Sequence, residues 1–202
     1  RTETATRLRG RLEKILDWAK TREGREGENP ARWRGHLDKL LANPNKIAPV
    51  VNHPALPYAK VSSFLAEVAA LEGMAPLAAQ FIVLTAARTG EVLGAKWDEV
   101  DFQAKVWTVP ATRMKAGREH RVPLSSGAIA VLKKAKALGA GAFVFSGRKP
   151  DTALSNMACL VLLRRMKRND IVMHGFRSTF RDWAAEQTNY PREVAEIDRK
   201  SV

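Results

Sequence analysis

The chain has 202 residues, 45% of them hydrophobic and 27% charged, which excludes wholesale disorder and suffices for one core with or without a smaller appendage. Thirty-four Lys and Arg against 21 Asp and Glu give a formal charge of +13, which favours a polyanionic partner, with a merely solubilising surface as the alternative. No run approaches the roughly 18 apolar residues of a membrane span, and no basic amphipathic helix stands out, so nucleic acid is a better candidate than a membrane.

The N-terminus opens with RTETATRLRG, which lacks the pattern of a secretory signal, so a cytoplasmic protein is expected. Residues 1 to about 22 read as a helix with Leu8, Leu12, Ile15, Leu16 and Ala19 on one face, and that face needs a partner. Gly, Pro and Asn then dominate up to Pro57, with a short amphipathic segment from Ala31 to Leu41 between them. A lone helix cannot bury its stripe. Residues 1–42 are therefore expected to be the remnant of a preceding helical domain, 43–55 a linker, and 56–202 the main domain.

After Pro57, Val61, Phe64, Leu65, Val68 and Leu71 recur at helical spacing until Gly73. The next helix, Ala75 to Ala87, is apolar nearly all round, as the central helix of a core would be. The period then changes. Val100, Phe102, Val106, Trp107 and Val109, followed by His120 to Leu124, read as short strands, with turns at Gln103 to Lys105 and at Ala116-Gly117. Helices resume at Ser126 to Ala137, capped by Ser125, and at Asn156 to Lys167, capped by Ser155. The second holds the only cysteine, Cys159, beside Leu160, Val161 and Leu162, as a buried thiol. The last strong helix runs from His174 to about Gln187, with a shorter one after Pro191. The expected fold is mainly α with a small antiparallel β-sheet (α+β).

Three segments carry chemistry. In AARTGEVLGAKW, Arg88 ends the most apolar helix, where a guanidinium needs an anion or a fixed carboxylate. Glu91 can hold it and leave part of its fork for a ligand; a structural Arg-Glu pair is the equal alternative. In HGFRSTFRDWAAEQ, His174, Arg177 and Arg181 share one helical ridge, while Phe176, Phe180, Trp183 and Ala184 form the apolar one. A guanidinium grips phosphate oxygens bidentately and an imidazole moves protons near neutral pH, although such pairs also arise by chance on solvated faces. In WTVPATRMKAGREHRVPLS, Lys115 stands at a hairpin tip among Arg113, Arg118 and Arg121, which is either a solvated turn or a basic finger for a DNA groove. One cysteine, and histidines at 36, 53, 120 and 174 without zinc-helix spacing, give no expectation of a metal.

Taken in order, Arg88, Lys115, His174 and Arg177, within TAARTGEVLGAKWDEVDF, RMKAGREHRVPLS, FSGRKP and HGFRSTFRDWAAEQTNYPREVAE, resemble the catalytic signature of tyrosine recombinases. The flanking words are closer to integrases of temperate and satellite phages and genomic islands than to type IB topoisomerases, and the likeness covers about Pro54 to Ile197. Arg1 to Leu41 is similar to the end of that family's helical DNA-clamping domain. The resemblance implies site-specific recombination through a 3′-phosphotyrosyl link, without metal, nucleotide or other cofactor. It implies Arg88 and Arg177 on the nonbridging oxygens, Lys115 protonating the departing 5′-oxygen, His174 assisting the attacking phenol, and Glu91 in support. Arg113, Arg118, Arg121 and Arg181 would contact DNA. The implied partner is a double-stranded attachment site, bound near the bacterial nucleoid by a tetramer of the complete enzyme, with this chain alone as a monomer.

One departure stands out. The family pattern continues with a further His or Trp and then the nucleophilic tyrosine, and neither follows EVAEIDRKSV. Tyr58 precedes every matched motif and Tyr190 lies ahead of the family's final helices, so both read as packing residues. The chain is expected to bind DNA weakly and not to cleave it. The rival readings are a DNA-binding fragment or degenerate integrase without catalysis, and a basic RNA-binding protein, which explains the charge but not the order of the four residues.

Overall fold

The computed structural model describes residues 2–47, 54–114, 117–149 and 151–191, and the chain forms two compact units, Arg1–Asn52 and His53–Val202. In the first, α1 spans Thr2–Thr21 and carries i,i+4 pairs between Glu3 and Arg7 and between Arg9 and Glu13. The returning chain is fastened to α1 by polar groups. Asn29, 4% exposed, donates through Nδ2 to Glu13 O (2.8 Å) and Asp17 Oδ1 (2.6 Å), while its own Oδ1 accepts from Ala31 N (2.9 Å). Arg9 donates to Ala31 O at 2.8 Å and lies over the Trp33 ring. A turn at Trp33–Leu37, with Gly35 at φ 73°, leads into α2 (Asp38–Leu40), and α3 follows at Pro44–Ile47. Of the stripe of α1, Leu8, Leu12 and Ile15 stay exposed and Leu16 and Ala19 are half-buried, so the described residues cover it only in part.

The second unit is built around α5. Its helices are α4 (Val61–Ala69), α5 (Met74–Thr85), α6 (Thr89–Leu93), α7 (Ser126–Leu138), α8 (Ala158–Arg165) and α9 (Gly175–Gln187). Helix α5 is buried along Pro76–Ile82 and touches α4, α6, α7, α8 and α9. An all-round apolar helix has no solvent face to keep, so neighbours can cover every side of it. Phe81 packs its ring 5.4 Å from Trp107 and 5.5 Å from Phe145, joining helix to sheet.

That sheet has three antiparallel strands in the order β1 (Val100–Asp101), β2 (Val106–Val109), β3 (His120–Pro123). Asp101 Oδ1 accepts from Gln103 N (2.9 Å) and Ala104 N (2.7 Å), which folds the β1–β2 turn at the position expected from sequence. Val109 pairs with His120, as the strands read from sequence require, and the excursion between them opens with the turn Ala111–Arg113.

The mixed helical fold with a small sheet is as read from the sequence, with local differences. Helix α4 stops at Ala69 and leaves Leu71 42% exposed. Ser125 Oγ caps α7 by accepting from Ala128 N, whereas Ser155 Oγ accepts from Met157 N and α8 begins only at Ala158. Cys159 is buried, and desolvation pushes its thiol pKa up to about 11. The expected helix after Pro191 lies outside the described residues.

Candidate active site

Helix α5 ends because Ala86 turns left-handed (φ 51°), with Thr85 Oγ1 donating back to Phe81 O at 2.7 Å and accepting from Ala87 N at 3.4 Å. This turn aims the Ala86 carbonyl across the domain, where Arg177 Nη1 donates to it at 2.5 Å. Two residues on, Arg88 is extended and caps α6. Glu91 Oε2 accepts from the Arg88 backbone N (3.0 Å) and Oε1 accepts from Arg88 Nη1 (2.6 Å). The carboxylate is buried and the guanidinium side chain 29% exposed, so one edge of the fork is fixed from the inside.

Helix α9 owes its place to Phe176 of the expected apolar ridge and to Gly175 and Thr179, to which the sequence reading gave no role. Gly175 lies so close to the segment before α4 that a Cβ there would sit 2.1 Å from Pro54 O. Thr179 Oγ1 donates to Leu56 O at 2.6 Å, and Phe176 lies 4.9 Å from the Phe64 ring. With that side pinned, Arg177 and Arg181 fall on another, and His174 stands exposed at the N-cap with its carbonyl accepting from Arg177 N. Of the expected apolar ridge, Phe176 and Ala184 are buried, while Phe180 and Trp183 remain 38% and 42% exposed and pair with each other.

Between the end of α5, β3 and α9 lies a cavity of about 280 Å³ lined by Thr85, Ala86, His120, Arg121, Arg177 and Arg181, among others. Three arginines and an imidazole around one hollow suit an anion. His120 enters here as a new member; its place on a strand edge gave no periodic signal. Arg88 and His174 are not among the lining residues, although each is within three positions of one. Arg181 is partly engaged by Asp182 (2.8 Å).

The other sequence-chosen residues separate. Arg118 is exposed in the β2–β3 excursion, Lys115 lies outside the described residues, and Arg113 points inward to the Glu99 carboxylate and the Glu91 carbonyl. A larger groove, about 590 Å³ and mostly apolar, runs between the start of α5 and α8 and contains none of the candidate residues. Volume alone therefore does not single out a candidate site; the smaller hollow is distinguished by the cations around it. No helix among the described residues is long and apolar enough to cross a membrane.

Residues 58–197 match the model of the phage integrase family, and residues 1–36 that of the phage integrase central domain. The prophage integrase IntA of Escherichia coli (strain K12) is 39% identical over 128 residues, covering 59% of this chain and 31% of that protein. The integrase of Enterobacteria phage P4 is 30% identical over 224 residues, covering 99% of this chain and 49% of that protein. The chain thus spans 31% and 49% of the length of these two relatives. The Tn1549 transposon integrase (residues 82–397, Y379F), solved in complex with transposon right end DNA, superimposes with a TM-score of 0.74 at 15% identity, covering 99% of this chain and 72% of that one. At that identity the likeness is one of fold.

Proposed function

The chain belongs to the phage integrase family, and on that premise we propose that its second unit clasps a DNA phosphodiester between Arg88, Arg177, His174 and Lys115 for site-specific strand exchange. One observation carries the reading: the hydrogen bond from Arg177 to the Ala86 carbonyl, which brings a side chain of α9 to within two residues of Arg88 from 91 positions away. A phenol oxygen attacks phosphorus and the bond to the 5′-oxygen breaks. His174 takes up the phenolic proton, and Lys115 delivers a proton to the departing 5′-oxygen. Arg88 and Arg177 face the nonbridging oxygens, where negative charge grows most in the transition state. Glu91 holds Arg88 in place. Arg118, Arg121 and Arg181 contact flanking phosphates.

Neither tyrosine of this sequence is the nucleophile in this reading. Tyr58 Oη donates to Glu186 Oε2 at 2.9 Å, and that carboxylate raises its pKa, away from phenolate. Tyr190 lies beyond the end of α9 and is 71% exposed. The partner is a duplex attachment site, the complete protein acts as a tetramer on it in the bacterial cytoplasm, and this chain alone binds DNA without cleaving it.

The test joins this chain to a tyrosine-bearing C-terminal segment and incubates it with a nicked attachment-site duplex. A covalent protein-DNA adduct is expected, and Arg177→Ala should lower its rate on the order of 10²–10³-fold. Near-normal adduct formation by that variant overturns the phosphate role; an adduct formed by the 202-residue chain itself overturns the assignment of its tyrosines.

A further inference from the structure

Arg113 reads from sequence as one of the DNA-reaching arginines, yet its guanidinium braces the interior. Nη1 donates to the Glu91 carbonyl at 3.0 Å and Nη2 pairs with Glu99, the two side chains being 24% and 10% exposed. Glu99 is fixed in turn: its Oε2 also accepts from Trp107 Nε1 at 3.0 Å and from Lys96 N at 3.3 Å. The slot is tight, since a Cβ on Gly94 would come within 2.7 Å of Arg113 Nη1. A line of contacts therefore runs from Trp107 in the sheet through Glu99 and Arg113 to Glu91, whose carboxylate holds both the backbone N and Nη1 of Arg88.

Resting on the phosphate site proposed above, we infer that Arg113 is a positioning residue for Arg88. It fastens α6 to the sheet and so sets the direction in which the Arg88 guanidinium points. It does this with a planar fork that reaches two acceptors on different elements, 14 and 22 positions away. A lysine keeps the charge but offers one compact ammonium, which cannot serve both acceptors in that geometry. Arg113 also closes the turn Ala111–Arg113 at the start of the β2–β3 excursion, so the same brace fixes the root of that excursion.

The test uses the 202-residue chain and inorganic phosphate. In spectra of ¹⁵N-labelled arginine side chains, the Arg88 and Arg177 signals of the wild type are expected to shift together on titration, while that of Arg113 stays in place. In Arg113→Lys the Arg88 response should weaken several-fold at unchanged net charge. For a short duplex, Arg113→Met should leave the slope of log Kd against log salt unaltered, whereas loss of a phosphate contact lowers it by about 0.9. A saturable shift of Arg113 comparable to that of Arg88, wild-type phosphate affinity in Arg113→Lys, or a flattened salt slope in Arg113→Met overturns the inference. If Arg88 and Arg177 of the wild type do not respond together, the phosphate site itself fails. Should Arg113→Lys lack a dispersed spectrum, Glu99→Gln, which keeps an acceptor for Trp107 but loses the charge pair, carries the same expectation.

Discussion

Replacing Gly175 by Ala tests how α9 is held. The new methyl would stand 2.1 Å from Pro54 O and 3.0 Å from Ala55 Cα, both backbone atoms that no rotamer change can move. The contact needs about 1 Å more room, so α9 must slide or the segment before α4 must give way. Overpacking of this kind costs about 1–3 kcal/mol. Displacing α9 also stretches the Thr179–Leu56 hydrogen bond, worth about 1 kcal/mol, and the Phe64–Phe176 contact, worth about 0.5–1.5 kcal/mol. Ala is better than Gly in a helix by roughly 0.5–1 kcal/mol, which offsets part of the loss. The net is about 1.5–5 kcal/mol, or a fall in Tm on the order of 3–20 °C for a unit of this size. Gly90→Ala in α6, where a Cβ meets nothing within 4 Å, is the control and should melt at or slightly above wild type. Thermal unfolding followed by circular dichroism decides: a Gly175→Ala protein that melts with the wild type would refute the steric argument, and with it the account of how Arg177 is aimed.

Three further outcomes follow from local geometry. Ala86→Gly should raise stability by about 1 kcal/mol, because the left-handed turn at φ 51° penalises any Cβ, and denaturant unfolding would register it. Ser125→Ala removes the side chain that accepts from Ala128 N, so unfolding in urea should show a loss of about 1 kcal/mol with an unchanged m-value. Tyr58 has a folded-state pKa above its ordinary 10.0, since Glu186 accepts from the neutral phenol, so that contribution is present below pH 10 and is lost as pH rises through the folded value. Absorbance at 295 nm in a Tyr190→Phe background should therefore place the Tyr58 midpoint above 10, and Glu186→Gln should bring it back down.

Much of the fold was legible because its signals are local. The all-round apolar run of α5, the period change at β1 and β2, and the Ser125 cap each lie within a few residues of the element they define. What escaped depends on contacts distant in sequence. Asn29 reads as one more polar loop residue, yet its amide is what ties the returning chain to Glu13 and Asp17. Gly175 reads as a weak helix former, and only the nearness of Pro54 explains it. The strands flanking the β2–β3 excursion were legible, with Val109 and His120 at its two ends, but the turn Ala111–Arg113 that opens it, and the inward path of Arg113, carried no periodic signal.

The arginines expose the deeper limit. Sequence spacing selects cations near one another in the chain, but whether a guanidinium faces a ligand or the interior is decided by where its acceptors lie. Arg113 and Arg121 sit in the same basic stretch and carry the same charge. One is captured by Glu99, 14 positions back, and by a helix carbonyl; the other lines the cavity beside His120. Arg177 takes its orientation from a carbonyl 91 positions away, freed by a left-handed residue that no composition rule marks. The phosphate site proposed above would be aimed from behind: Glu91 behind Arg88, Arg113 behind Glu91, and Ala86 behind Arg177. Substitutions in that supporting layer should therefore damage phosphate binding without touching the ligand, which sets them apart from exposed cations such as Arg118, whose loss weakens duplex affinity in proportion to charge.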